Sequence, residues 1–208
     1  MTMENGFFEA RECIEWTRTE WDNANSGSLP RVLLIGDSIT NHYYPFARDL
    51  LKGKVYTDKY VTSKCTIDPF FMKELDLYIS EYPYVCVHFN NGLHGFEGPA
   101  EPVQNYIEGY ERLLQRVLLY CPNTILATST PVSLPGELHT LKQEIHVKVL
   151  ERNEAVKALA QRYGLAVNDL FSCVIDFPEL HVDDGAHFKD EGSSRLAEQV
   201  CAAVGSFI

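Results

Sequence analysis

Two hydrophobic periods alternate along the chain. Arg31-Val32-Leu33-Leu34-Ile35 carries a continuous apolar stretch, the pattern of a strand covered on both faces, and further strands are read at Lys54 to Val61, Tyr84 to Phe89, Thr124 to Thr128 and Leu165 to Asn168. Between them apolar positions fall at helical spacing over Tyr43 to Leu51, Pro69 to Ser80, Val103 to Leu119, about Leu141 to Tyr163, and Asp190 to Ala203. The third of these carries Tyr106, Tyr110, Leu113, Leu114 and Val117 on one side, and the last has its apolar positions Leu196, Val200, Val204 and Phe207 at helical spacing. Punctuation agrees with the periods: Asp68 precedes Pro69 at a first helical position, and Gly164 stops the long helix. Strands that alternate with helices specify a parallel sheet. The stretch Phe7 to Asn23, with Phe7, Phe8, Cys13, Trp16 and Trp21, predicts a leading helix outside that core, broken by Asn25-Ser26-Gly27-Ser28-Leu29-Pro30. Residues 1–28 then form helix and linker, and 1–208 a single domain.

Composition narrows the class. At 208 residues and 45% hydrophobic content the chain can bury a sizeable core. Lysine and arginine total 18 against 29 acids, a net charge of -11, which argues against nucleic acid as a partner. The same field disfavours anionic lipid surfaces and acidic polysaccharides, although a local pocket can overrule it. Met1 to Asn25 lacks a charged stub followed by an apolar run, no span is long enough for a bilayer, and the six cysteines are scattered. These features predict a cytoplasmic protein with reduced cysteines and no membrane partner, a trimmed secreted form having the same look. Oligomeric state is open.

Chemistry enters at two places far apart in the chain. Gly36-Asp37-Ser38 follows the first apolar strand, which sets Ser38 at a sheet's carboxyl edge, where doubly wound proteins bind ligands. A serine hydroxyl attacks an acyl carbon only when a neighbouring base removes its proton. Asp184-Gly185-Ala186-His187, just before the last helix, supplies an imidazole and a carboxylate to orient it. The aromatics Tyr43, Tyr44 and Phe46 read as core, with a substrate platform as the other reading.

Over residues 31 to 205 the chain resembles the SGNH hydrolases, or GDSL esterases and lipases: Gly36-Asp37-Ser38 matches their first block and Asp184 to Gly192 their last. The resemblance, with the periodicity, implies an α/β fold: a three-layer flavodoxin-like sandwich with a central parallel five-stranded sheet and helices on both faces. It implies Ser38 as nucleophile, His187 as base and Asp184 as orienting acid, with no metal and no cofactor. The second block departs from the family, since Thr62-Ser63-Lys64-Cys65-Thr66 holds no glycine. Ser63 is then the expected backbone donor to the oxyanion, beside Ser38. The third block reads Asn90-Asn91-Gly92-Leu93-His94 in place of the usual Gly-X-Asn-Asp; Asn91, or else Asn90, supplies the side-chain donor, and His94 can line the pocket.

The expected activity is removal of short acyl groups, acetyl first, from a carbohydrate or other small-molecule ester. Lysophospholipase or thioesterase action is the alternative within the family. Two other classes compete: a metal hydrolase using His181, Asp183, Asp184 and His187, and a noncatalytic binding module that kept the fold.

Overall fold

The structure, a computed structural model, describes residues 2–4, 7–9, 11–96 and 103–208. Its strands are β1 (Thr2–Glu4), β2 (Phe7–Glu9), β3 (Thr17–Glu20), β4 (Arg31–Gly36), β5 (Tyr56–Thr62), β6 (Tyr84–Phe89), β7 (Thr124–Ala127), β8 (Ser133–Leu134), β9 (Glu137–Leu141) and β10 (Ala166–Asn168). The α-helices are α1 (Ser38–Leu51), α2 (Pro69–Ile79), α3 (Val103–Tyr120), α4 (Gln143–Tyr163), α5 (Leu170–Val174) and α6 (Asp190–Val204).

The main sheet has the order β10-β7-β6-β4-β5-β3, and its first five strands run parallel. Chain order reverses between β4 and β6, which makes the carboxyl ends of those two strands the natural crevice for a ligand. Alternation along β4 divides the core. Leu33 and Ile35 pack with Phe71, Leu75, Tyr110 and Val156 from α2, α3 and α4, while Val32 and Leu34 pack with Tyr43, Tyr44, Leu196 and Val200 from α1 and α6. Each of these side chains is fully or almost fully buried, worth about 1.5–3 kcal/mol apiece as transfer from water. Tyr43 and Tyr44 are therefore core.

Two expectations need correction here. The sheet has six strands rather than five, because β3 runs antiparallel to β5 with Thr17 opposite Thr62 and Glu20 opposite Lys59. That strand replaces the leading helix expected over Phe7 to Asn23, whose described residues form β2, β3 and connecting turns. The free edge of β5 offers a row of backbone donors and acceptors, and Thr17-Arg18-Thr19-Glu20 suits a half-buried edge strand, so pairing wins over the helical spacing of the aromatics. Between β7 and α4 lies a small hairpin, β8 against β9, turning at Gly136 with φ 75°.

The segment joining β3 to β4 is held from beneath. Arg31 Nη1 donates to both carboxylate oxygens of Asp58 at 2.8 and 3.0 Å, and its two terminal nitrogens also donate to the carbonyls of Asp22, Asn23 and Ser26. The guanidinium lies 4.0 Å from the Tyr82 ring centre. Burial raises the Asp58 pKa, and its hydrogen bonds with Asp22 N–H and Arg31 only partly oppose that.

Candidate active site

Ser38 opens α1, well before the helix start expected at Tyr43. Asp37 caps the helix: its Oδ1 accepts from the N–H of Ile39 at 2.9 Å. Gly36 makes the tight entry possible. A Cβ there would sit 1.9 Å from Thr40 Oγ1 and 2.6 Å from Thr40 Cβ, so no side chain fits between β4 and the first turn of α1. Ser38 consequently stands at the sheet edge with its N–H in a helix's first turn, where N–H groups lack intrahelical acceptors and the helix dipole favours negative charge.

The histidine and its acid form one short turn. Asp184 Oδ1 accepts from the N–H groups of Ala186 and His187 at 2.8 and 2.9 Å, while Oδ2 lies 2.7 Å from His187 Nδ1. Burial favours the protonated carboxyl, but the His187 N–H and imidazole and the Ala186 N–H outweigh it and hold the Asp184 pKa below its usual value. The turn passes through Gly185 at φ 75°, and Gly185 O accepts from Ser133 N–H at 2.8 Å. Gly136 N–H donates to Asp183 O at 2.9 Å, so the β8–β9 hairpin braces this loop at two points.

Ser38 and His187, 149 positions apart, meet with Oγ 2.8 Å from Nε2. With Asp184 accepting from Nδ1–H, Nε2 is left as the acceptor for the serine O–H. The three residues singled out from the sequence thus form one continuous hydrogen-bonded line. A neighbour the sequence did not signal is His42, whose ring centre is 4.9 Å from that of His187. Burial, then the nearby His187, lowers the His42 pKa and favours its neutral ring.

Ser63 is not positioned as expected. Its N–H donates to Trp16 O at 3.1 Å and its Oγ accepts from Trp16 N–H at 2.8 Å, so the pairing that creates β3 takes up the donor assigned to the oxyanion. Asn90 and Asn91 both sit at the end of β6. Asn90 Nδ2 donates to Ala127 O at 2.9 Å, and Asn91 Nδ2 to Lys64 O at 2.8 Å. An amide carries two N–H bonds, so each keeps a second donor. Arg152, almost fully buried, donates to Gly92 O at 3.0 Å and His94 O at 2.6 Å and so fixes the loop that follows.

His94 stands on that loop. Its ring meets Trp16 edge-on at 6.4 Å, its Nδ1 lies 3.5 Å from a Glu12 carboxylate oxygen, and the other Glu12 oxygen accepts from Gly95 N–H at 2.7 Å. Burial lowers the His94 pKa, but the bond to Glu12 prevails and the net shift is upward. For Glu12 burial works upward, and the bonds from His94 and Gly95 prevail to lower it. His181 is occupied elsewhere, with its ring nitrogens each 3.3 Å from the carbonyls of Pro178 and Pro131. Among the described residues no three His, Cys, Asp or Glu side chains converge as a metal set, which leaves the His181, Asp183, Asp184 and His187 grouping without geometric support. No helix of the described residues is long and apolar enough to cross a membrane.

No family model matches the sequence, and no curated protein matches it either. Solved structures do. The chain is similar to an acetylxylan esterase from Geobacillus stearothermophilus, with TM-score 0.69 and 16% identity over 85% of this chain and 94% of that one. It is similar to a GDSL-like lipase from Bacteroides thetaiotaomicron, with TM-score 0.68 and 15% identity over 86% and 89% of the two chains. A third is the catalytic domain of a peptidoglycan O-acetyltransferase from Streptococcus pneumoniae, with TM-score 0.63 and 17% identity over 86% and 95%. At such identities the likeness concerns architecture, and the chain has the fold of the GDSL-like lipases and acylhydrolases.

Proposed function

We propose that this chain is a serine-dependent ester hydrolase that removes short acyl groups, acetyl first, from a carbohydrate or other small ester. The observation that carries the reading is the line from Asp184 through His187 to Ser38, at 2.7 and 2.8 Å. A hydroxyl, an imidazole and a carboxylate at these separations are what acyl transfer at neutral pH requires. Similarity to an acetylxylan esterase and to an O-acetyltransferase supports acetyl as the transferred group.

In the proposed reaction Ser38 Oγ attacks the ester carbonyl as its proton passes to His187 Nε2, and Asp184 stabilises the imidazolium. The tetrahedral oxyanion is held by the Ser38 N–H and by the uncommitted amide N–H of Asn91, with Asn90 the other candidate. One such donor lowers the barrier by about 3 kcal/mol. His187 then protonates the departing alcohol, leaving Ser38 acylated. Water, deprotonated by the same imidazole, releases the acid and restores the serine.

Hydrolysis of nitrophenyl esters from acetate to palmitate tests this directly. Ser38→Ala is expected to lower kcat by about a thousandfold or more on acetate. A variant as fast as the parent would remove the serine from the mechanism. Greatest kcat/KM on long chains would replace the deacetylase reading with the lysophospholipase or thioesterase one.

A further inference from the structure

Because His187 hands its proton to the departing alcohol, the alcohol half of the ester lies on the imidazole side of Ser38. There His42 rests against His187, and Arg18 of the edge strand β3 is near enough to act electrostatically on the His42 ring. Register fixes what β3 presents there. Gly36 is level with Val61, and Val61 is level with Arg18. Residues directly opposite share a sheet face, and the Cβ direction of Gly36 runs into Thr40 of α1, so Arg18 projects on the α1 face.

Neighbouring contacts agree with that direction. Glu20, on the same side of β3, bonds Arg48 of α1 at 2.8 Å and Lys59 at 3.2 Å, and Lys59 Nζ bonds Asn41 Oδ1, the neighbour of His42, at 3.0 Å. The Arg18 Cζ lies 5.8 Å from the Trp16 ring centre, which is nearer the catalytic edge, so the side chain leans toward the site mouth. The acids nearby are already engaged, Glu20 by Arg48 and Lys59 and Asp184 by His187. Arg18 is exposed and makes no ion pair among the described residues. A chain with net charge -11 thus keeps a guanidinium free of ion pairs on the α1 face, near enough to act electrostatically on His42, the neighbour of His187.

We propose that Arg18, with His42 beside it, receives an oxyanion on the alcohol half of the ester, so that preferred substrates are acyl esters of alcohols bearing a carboxylate or phosphate. The proposal rests on the esterase reading above. A guanidinium fork matches both anions bidentately and discriminates strongly against a neutral group of the same shape. The surrounding negative field repels anions that do not reach this group, which sharpens the selection.

The experiment compares kcat/KM for 4-acetoxybenzoate and 4-acetoxyphenyl phosphate with that for neutral 4-acetoxybenzamide, in the parent and in Arg18→Gln. Taking the ratio between enzymes cancels the differing reactivity of the leaving groups. The anionic-to-neutral ratio is expected to fall about tenfold in Arg18→Gln. It should stay unchanged in Lys52→Gln, which alters net charge equally at the far end of α1. A fall for one anion alone identifies carboxylate or phosphate as the group received, and equal ratios in parent and Arg18→Gln overturn the proposal. If none of the three esters is cleaved, the esterase reading fails. Binding of 4-hydroxybenzoate and phenyl phosphate then decides the anion site separately: about tenfold weaker binding to Arg18→Gln sustains it, and equal binding ends it.

Discussion

Gly185 holds the acid and the base in one turn. Its φ of 75° is rarely adopted by residues with a side chain, and a Cβ there would sit 2.3 Å from the backbone oxygen of Ser133. Gly185→Ala is expected to displace His187 and cut kcat by about a hundredfold while leaving the far-ultraviolet circular dichroism unchanged, since misplacement near 1 Å costs that much. Normal turnover would mean that the loop tolerates the shift. A second residue-scale prediction concerns His94, whose pKa is raised above 6.5, and Glu12, whose pKa is lowered below 4.5. A raised histidine contributes stability that is full below its unfolded value and fades as pH rises through the folded one. A lowered glutamate contributes above its unfolded value and fades as pH falls. The pair therefore tethers the N-terminal segment most firmly between about 4.5 and 6.5. NMR titration of the His94 ring should give a value above 6.5 that drops in Glu12→Gln, and an unmoved value would reject Glu12 as the cause.

At the scale of elements, β4 was legible because burial on both faces leaves a continuous apolar run from Val32 to Ile35, whereas β5, equally buried, carries Thr57, Asp58 and Lys59 inside. The helices were legible where a cap or stop marked them, Asp68 and Pro69 before α2 and Gly164 after α4. β3 was not, because its four residues gain their conformation from β5, which lies some forty positions later, and nothing local distinguishes them from a turn of helix. That miss carried over to the site: without β3, Ser63 N–H looks available, and with it Trp16 O takes the bond. His42 escaped notice for a related reason, since its closeness to His187 depends on α1 and α6 meeting. The tie between β4, β5 and the linker can be tested through Arg31, whose side chain and that of Asp58 are 5% and 0% exposed. Arg31→Met leaves a buried carboxylate without its cation, held only by Asp22 N–H and Tyr84 O–H, and urea unfolding is expected to register a loss of about 3–5 kcal/mol. A loss under 1 kcal/mol, on the order expected for an exposed pair, would show that water reaches Asp58.

Across the whole molecule, the proposed catalytic line depends on α1 and α6, which come from opposite ends of the chain and share one side of the sheet. Leu196 is fully buried where they pack, and Leu196→Ala is expected to cost about 2–5 kcal/mol in thermal or urea unfolding. Activity measured well below the new Tm should fall as well, because the serine and the imidazole have no covalent link nearer than the whole intervening chain. Full activity in that variant would mean that the last helix can shift without disturbing His187. The outline of the main sheet has its own consequence. Its long strands, β4, β5 and β6 with six, seven and six residues, lie inside, while the margins are β10 with three and β3 with four. Lateral pairing between two copies needs a long unpaired border, and short flanks, one of them bearing charged Arg18 and Glu20, give a neighbouring copy little to add onto. Concentrated solutions should therefore resist strand-to-strand association at this sheet.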